Sequence, residues 1–249
     1  MYGSGDSERF LGEALGDRRG DVVVATKFGQ DDGIPGPGGS PGHVRLAIEA
    51  SLERLGTDVV DLYYYHRPDG VTPLAETLGA MRELVDEGKV RWLGLSNVDV
   101  AQLDEAAASG APVVAVQNRY SLMDRRDDAD VLPRCRELGI GYVPYFPLES
   151  GLLTGKYRRD APAPPGTRLE GRGESLSDER FDGVDRLTAF AADRGRTLLE
   201  LAIGGLASLP GIASVIAGAT SPDQVRANAA SGAWSVGEQD RQALAALDL

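Results

Sequence analysis

Residues 59–97 read VVDLYYYHRPDGVTPLAETLGAMRELVDEGKVRWLGLSN, and the pattern in this stretch indicates the architecture of the whole chain. Two short apolar runs, Val59–Tyr65 and Val90–Leu95, flank a segment, Pro73–Glu87, in which apolar residues recur every three or four positions. Short apolar runs predict buried strands, and the three-to-four spacing predicts a helix. Two buried strands joined by a helix predict one strand–helix–strand unit of a parallel sheet.

The same alternation continues on both sides of this unit. The predicted strands are Val22–Thr26, Val59–Tyr65, Val90–Leu95, Val113–Val116, Ile140–Tyr145 and Ile212–Ala217. The helices predicted between them are His43–Leu55, Pro73–Glu87, Asp99–Ala108 and Val131–Leu138. Two segments without this pattern, the Gly/Pro-rich stretch Gln30–Gly42 and the polar insertion Ser150–Gly183, are predicted as loops, the first of them a flexible lid.

Alternating strands and helices predict one α/β domain, residues 1–249, for which two parallel architectures compete. The open, doubly wound sheet usually carries G-x-G-x-x-G after a strand, whereas the pair Gly3 and Gly5 has no third glycine in register and no strand before it. A length of about 250 residues is typical of the closed (β/α)8 TIM barrel. With six strands predicted, we expect such a barrel, truncated at the N-terminus by about two strands.

Composition excludes several classes of function. The chain has 26 Lys and Arg against 38 Asp and Glu, a net charge of −12, which argues against binding nucleic acid or an anionic membrane. One cysteine, Cys135, and two histidines rule out an internal disulfide and a Cys/His zinc cluster, so we expect no metal site. No apolar run approaches eighteen residues and no signal-peptide pattern is present, so we expect a cytoplasmic protein.

Polar side chains follow the predicted strands where each strand ends. In a (β/α)8 barrel the active site is built at the carboxyl ends of the strands, so these positions are the candidates. Each residue alone could merely cap a sheet edge, but six polar strand ends in succession predict an active site. They are Lys27, His66, Ser96–Asn97, Gln117–Asn118, Tyr145–Pro147 and Gly218–Ser221.

Seven stretches of the sequence resemble the aldo-keto reductases. They are YGSGDSE (2–8), ATKFG (25–29), DLYYYHRPD (61–69), RWLGLSN (91–97), QNRYS (117–121), GLLTGKY (151–157) and IAGATS (216–221), the last followed by Gln224 and Asn228. They keep the family's order and spacing over nearly the whole chain. The resemblance is greatest to the bacterial branch near the potassium-channel β-subunits.

The resemblance implies a barrel that moves a hydride between NADPH and a small-molecule carbonyl substrate. It implies that Tyr2 is the general acid, that the Lys27 ammonium lowers the pKa of the tyrosine phenol, and that His66 orients the carbonyl oxygen or relays the proton. The leading interpretation is therefore an NADP(H)-dependent oxidoreductase of aldehydes or ketones. Thr220 stands where a basic residue often binds the 2′-phosphate of NADP, so NAD is the alternative cofactor.

The resemblance also assigns residues to the cofactor. Ser96, Asn97 and Gln117 would hold the nicotinamide carboxamide, and Tyr145 would stack on the ring. The other cofactor-binding positions that it implies are Pro147, Leu148, Gly151, Leu153, Gly155, Lys156, Gly218, Thr220, Ser221, Gln224 and Asn228.

One departure from the family lies at the start of the sequence. The family has a catalytic aspartate a few residues before the tyrosine, and this sequence begins one residue before Tyr2. We therefore expect Met1 to be an internal methionine of a longer reading frame or the start of a remnant gene, and we expect the Tyr2 hydroxyl to be poorly fixed.

Two other interpretations stay open. One is a non-catalytic or weakly active NADP(H)-binding or interaction protein similar to the channel β-subunits. The other is a barrel lyase or isomerase in which Lys27 forms a Schiff base. The sequence leaves the carbonyl substrate and the oligomeric state undetermined.

Overall fold

In this computed structural model the described residues are 2–30, 33–172, 176–247 and 249, without the side chain of Tyr2. Within them the strands are β1 (Ala25–Phe28), β2 (Val60–Tyr65), β3 (Val90–Ser96), β4 (Val113–Gln117) and β5 (Gly141–Tyr142). The α-helices are α1 (Asp6–Leu15), α2 (Pro41–Leu55), α3 (Leu74–Asp86), α4 (Val100–Ser109), α5 (Val131–Leu138), α6 (Asp178–Ala192), α7 (Leu198–Glu200), α8 (Pro222–Ser231) and α9 (Glu238–Ala245). Turns of 3-10 helix lie at Tyr2–Gly5, Gly16–Asp21 and Glu149–Thr154, and Leu201–Gly205 is π-helical.

The strands form a sheet in the order β1-β2-β3-β4-β5, which is also their order along the chain. The pairs β1–β2, β2–β3 and β3–β4 are parallel. Parallel strands in chain order, each connected to the next through a helix, are the arrangement of a (β/α)8 barrel wall. Each helix in the described ranges falls short of the length and apolar character that crossing a bilayer requires.

The chain divides into two compact units. The first consists of Met1–Gln117 and Pro133–Gly141, and the second of Asn118–Leu132 and Tyr142–Leu249. The organisation of residues 1–249 as one domain stays a prediction.

In the first unit, one face of the sheet is apolar and covered by helices. Phe28 on β1 stacks on Tyr63 and Tyr65 of β2, with ring centroids 4.8 Å and 5.0 Å apart. Ile48 of α2 and Met81 of α3 are fully buried. Successive side chains of a strand point to opposite faces, so Lys27, next to Phe28, and Tyr64, between Tyr63 and Tyr65, face the other side of the sheet.

Helix α1 lies against α2 more closely than a side chain would permit. A Cβ atom on Gly12 would come within 2.5 Å of the carbonyl oxygen of Leu55. Beside this contact the Arg54 Nε of α2 donates to the Glu8 Oε2 of α1 over 2.5 Å, and the two side chains are 16% and 12% exposed. The backbone contact and the largely buried ion pair together fix α1 on α2.

Glu8 also connects α1 to the sheet. The Thr26 hydroxyl on β1 donates to the second carboxylate oxygen of Glu8 over 2.5 Å. The turn Tyr2–Gly5 comes directly before α1, and Lys27 comes directly after Thr26. The turn that contains Tyr2 is therefore connected, through α1 and Glu8, to the strand that carries Lys27. The Tyr2 side chain lies outside the described residues.

Two of the predicted strands differ from the observed ones by more than one residue at a bound. The first is Ala25–Phe28 instead of Val22–Thr26, so Lys27 lies within the strand and does not follow it. The strand predicted over Ile140–Tyr145 is reduced to Gly141–Tyr142.

The sixth predicted strand, Ile212–Ala217, was wrong for the described residues. This segment makes two isolated parallel bridges, from Ile212 to Tyr142 and from Ile216 to Tyr145. Pro144 lies between the two bridged residues and has no N–H group to donate to a ladder, which explains the interruption.

Candidate functional site

The face of the sheet opposite the aromatic core carries a row of polar side chains in the first unit. The register places Lys27 beside Tyr64, and Tyr64 beside Gly94. Two residues further along the strands, the register places Ser96 beside Gln117. Alternation along each strand puts these residues on one face, and it puts the side chain of His66, which directly follows β2, on the same face as Tyr64.

Lys27 is half-buried on this face. Burial lowers the pKa of its ammonium group below the ordinary value of 10.5. Its Nζ lies 6.0 Å from the centroid of the Tyr64 ring, about the limit of a cation–π contact. Burial also raises the pKa of the Tyr64 phenol to about 12, against which a side-chain hydrogen bond with Gln117 acts.

A chain of hydrogen bonds joins the carboxyl ends of β2, β3 and β4. The Asn97 Nδ2 donates to the backbone oxygen of His66 over 2.9 Å and to the Ser96 Oγ over 3.1 Å. The Ser96 Oγ, fully buried, donates to the backbone oxygen of Gln117 over 2.6 Å. The backbone N–H of His66 donates to Phe28 over 2.9 Å, which adds β1 to the chain.

Asn97 adopts a backbone conformation that non-glycine residues seldom adopt, with φ of +58°. Asparagine tolerates this left-handed region better than most residues. Its backbone N–H donates to the Gln117 oxygen over 3.1 Å, so backbone and side chain together hold the turn after β3. The structure thus brings together Lys27, His66, Ser96, Asn97 and Gln117 of the predicted site.

Tyr64 was missed by the sequence reasoning. The signal that could have found it is its position two residues before His66, because alternation in a strand places both side chains on one face. The run of three tyrosines at 63–65 concealed this, since all three are apolar enough to be interpreted as core.

The turn after β2 binds the Gly/Pro-rich loop through Asp69. Its carboxylate accepts hydrogen bonds from the backbone N–H groups of Gly39, Val71 and Thr72 over 2.8, 2.9 and 2.8 Å. Burial raises the pKa of the Asp69 carboxyl, but these hydrogen bonds outweigh burial and lower the pKa to about 2.

The loop predicted over Gln30–Gly42 is therefore fixed at its stem. The Gly39 N–H is bound by Asp69, and the Gly39 oxygen accepts a hydrogen bond from the Thr77 hydroxyl of α3 over 2.8 Å. The two residues 31 and 32 of this loop lie outside the described residues.

Replacing Asp69 by asparagine is expected to lower the free energy of unfolding by about 1–2 kcal/mol at pH 7. A carboxyl whose pKa is depressed in the folded state stabilises above its unfolded pKa of about 3.9, and the contribution disappears as the pH falls to about 2. Urea unfolding between pH 7 and pH 2 should show the two curves converging below pH 4. A constant difference across this range would contradict the assignment. Asp182→Asn, in an exposed ion pair with Arg159, is the control and should cost less than about 1 kcal/mol.

In the second unit, the segment after β5 contains a cluster of left-handed residues. Phe146, Glu149 and Ser150 have φ of +60°, +46° and +58°, and Gly151 has φ of +95°. Non-glycine residues in this region cost of order 1–3 kcal/mol each, and such strain is typical of ligand-binding loops. The predicted cofactor positions Tyr145, Pro147, Leu148, Gly151, Leu153, Gly155 and Lys156 all belong to this segment.

A buried carboxylate holds the segment in this conformation. Glu149 is 4% exposed and accepts hydrogen bonds from the Ser121 Oγ over 2.8 Å, the Arg180 Nη2 over 2.9 Å and the Arg119 Nη2 over 3.2 Å. The sequence reasoning did not single out Glu149, because a lone glutamate directly before the predicted polar insertion Ser150–Gly183 gives no signal of burial.

The last set of predicted residues surrounds the start of α8. The Ser221 side chain caps the helix by accepting a hydrogen bond from the Gln224 N–H over 3.3 Å. The Gln224 Oε1 accepts from the Thr220 N–H over 2.7 Å, and the Asn228 Nδ2 donates to Gly218 over 3.4 Å. These contacts bring Gly218, Thr220, Ser221, Gln224 and Asn228 together around the exposed start of α8.

Comparison with known proteins establishes the family. A profile of the Aldo/keto reductase family matches residues 1–248. The chain belongs to the aldo/keto reductase family. This confirms the resemblance inferred from the sequence, and family and fold together support an oxidoreductase that uses a nicotinamide cofactor and a small carbonyl substrate.

Among curated relatives of this aldo/keto reductase are two plant proteins named probable voltage-gated potassium channel subunit beta. The one from Arabidopsis thaliana is 37% identical over 246 residues, which cover 92% of this chain and 74% of the relative. The one from Oryza sativa subsp. japonica is 36% identical over 244 residues, with the same coverage of 92% and 74%.

A solved structure supports the barrel fold of this aldo/keto reductase. It is the glycerol dehydrogenase of Gluconobacter oxydans, 28% identical, with a TM-score of 0.85 over 98% of this chain and 77% of that chain. The parallel sheet of the described residues is therefore part of an aldo-keto reductase (β/α)8 barrel, as the sequence predicted.

Proposed function

We propose that this chain is an NADP(H)-dependent oxidoreductase that reduces aldehydes or ketones, or oxidises the matching alcohols, with Tyr2 as the general acid. The observation that carries the proposal is the partly desolvated Lys27 ammonium, which shares one face of the sheet with the strand-end residues His66, Ser96 and Gln117. Perturbed ionisable groups at the carboxyl ends of barrel strands are typical of catalytic sites.

The residues present fit a nicotinamide cofactor. The Ser96 hydroxyl and the amide groups of Asn97 and Gln117 offer both donors and acceptors at neighbouring strand ends, which is the set that a carboxamide requires. The dinucleotide, when bound, supplies the hydride. The proposal assigns the left-handed segment after β5 and the turn before α8 to its pyrophosphate and adenosine parts.

The proposed roles of the protein groups follow from electrostatics. A phenol of ordinary pKa, about 10, is a weak proton donor at neutral pH. The Lys27 ammonium, partly removed from water, interacts strongly with a developing phenolate and lowers the pKa of the Tyr2 phenol. His66 donates a hydrogen bond to the carbonyl oxygen, where negative charge grows as the hydride arrives.

NADP is the cofactor that we propose, with NAD as the alternative. NADP is favoured because members of the family commonly use it. NAD is the alternative because Thr220 supplies no positive charge for the 2′-phosphate of NADP. The relative affinities for NADPH and NADH in one titration decide between the two.

The second candidate function is that of a cofactor-binding interaction protein with little turnover. The observation that favours it is the identity of 37% to a protein named as a probable potassium channel β-subunit. This candidate predicts NADPH binding without measurable reduction of carbonyl compounds.

An NADPH titration of the chain, followed by the fluorescence of Trp92 and Trp234, tests the proposal. Circular dichroism first confirms that the protein is folded. Saturable binding together with oxidation of NADPH at 340 nm in the presence of aldehydes is the expected result. Saturable binding without turnover on a broad panel of aldehydes and ketones supports the second candidate, and a folded chain that binds neither NADPH nor NADH refutes both.

A further inference from the structure

Tyr64 lies where it contacts two residues of the proposed site, Lys27 and Gln117. It is 2% exposed, its ring lies under the Lys27 ammonium, and its hydroxyl forms a hydrogen bond with the Gln117 side chain, which is 4% exposed. Lys27 is on β1, Tyr64 on β2 and Gln117 on β4. One side chain thus spans four strands of the sheet.

Gly94 on β3 makes this reach possible. In the register, Gly94 lies beside Tyr64 on one side and beside Ala115 on the other, between Tyr64 and the end of β4. A Cβ atom on Gly94 would meet two carbons of the Tyr64 ring at 2.4 Å. The ring therefore lies across the backbone of β3 in space that a side chain at position 94 would fill.

We propose that Tyr64 is a positioning residue that fixes the orientation of the Gln117 amide for the nicotinamide carboxamide and keeps the Lys27 ammonium at its place on the sheet. This inference rests on the proposed function. The hydroxyl acts on Gln117 through the hydrogen bond, and the face of the ring acts on Lys27 through its negative quadrupole.

Tyr64→Phe tests the inference, because it keeps the ring and removes the hydroxyl. We expect the NADPH Kd to rise about 3- to 10-fold, the loss of one neutral hydrogen bond. The melting temperature should fall, because the buried Gln117 amide loses a partner, whereas the pH dependence of kcat should stay unchanged, since the ring beneath Lys27 remains. Tyr63→Phe is the matched control. It removes the same atom from the adjacent buried residue on the opposite face, and it should leave the NADPH Kd unchanged.

A second readout needs no cofactor. The side-chain amide resonances of Gln117, assigned by comparison with Gln117→Glu, should shift in Tyr64→Phe and stay in place in Tyr63→Phe. Unshifted resonances overturn the inference. Shifted resonances with an NADPH Kd within twofold of the parent value also overturn it, while the proposed function stands. If the Gln117 resonances shift in Tyr64→Phe but the parent chain binds neither NADPH nor NADH, the proposed function is overturned, and the role of Tyr64 with it.

Discussion

Replacing Lys27 by methionine is expected to lower kcat for carbonyl reduction by about 10²- to 10⁴-fold, the usual contribution of a positioned acid–base system. Methionine keeps much of the apolar length of the lysine stem but removes the ammonium that the proposal places beside the Tyr2 phenol. The NADPH Kd should change less than about twofold, because the residues assigned to the carboxamide are on β3 and β4. Oxidation of NADPH at 340 nm and the fluorescence titration measure the two quantities separately.

Lys89→Met is the control for this substitution. Lys89 follows α3 and pairs with Glu49 and Glu87 on the surface, so its replacement removes the same charge far from the strand ends. A Lys27→Met variant that reduces aldehydes at the parent rate would show that the lysine has no part in proton transfer. Borohydride trapping of the parent with a carbonyl substrate separates the Schiff-base alternative, which predicts a covalent adduct at Lys27.

Replacing Gly12 by alanine is expected to lower the free energy of unfolding by about 1–3 kcal/mol, as overpacking a tight contact does. The added Cβ would lie 2.5 Å from the backbone oxygen of Leu55, and a backbone atom cannot rotate out of the way. Helix α1 must then move off α2. Because the turn Tyr2–Gly5 directly precedes α1, kcat should fall with stability, whereas the NADPH Kd should change little.

Gly79→Ala in α3 is the matched control for Gly12→Ala. Nothing lies within 4 Å of a Cβ atom at Gly79, and alanine favours a helix over glycine by up to about 1 kcal/mol. The control should therefore unfold at the same or a higher urea concentration than the parent. Gly12→Ala with unchanged unfolding and unchanged kcat would mean that α1 has room to adjust and does not position Tyr2.

The alternation of strands and helices was readable from the sequence, because apolar periodicity reports directly on burial. The same reasoning located the strand-end residues Lys27, His66, Ser96 and Gln117, since a parallel sheet brings all carboxyl ends to one edge. What it could not supply was register. That Tyr64 lies beside Gly94, and reaches Gln117 beyond it, depends on which residues of separate strands are neighbours, and no local pattern encodes that.

Two further features could not be predicted from the apolar periodicity of the sequence. The segment Ile212–Ala217 had the composition of a strand. The segment that it pairs with, however, contains Pro144, which has no N–H group to donate, so the two segments could not form a continuous ladder. The left-handed conformations of Glu149 and Ser150 are imposed by the buried ion pairs of Glu149, which are made to residues about thirty positions away. Local propensity favours neither conformation.

The contact between Tyr64 and Gly94 restricts the order in which substitutions can accumulate in descendants of this sequence. With tyrosine at position 64, any side chain at position 94 collides with the ring, so glycine there cannot drift. A smaller residue must first replace the tyrosine, and only then does position 94 become variable. In the ancestors of this sequence, glycine had to be present at position 94 before tyrosine could be fixed at position 64. The two positions should therefore show strong epistasis, with Gly94→Ala harmful in the parent and tolerated in a Tyr64→Leu background.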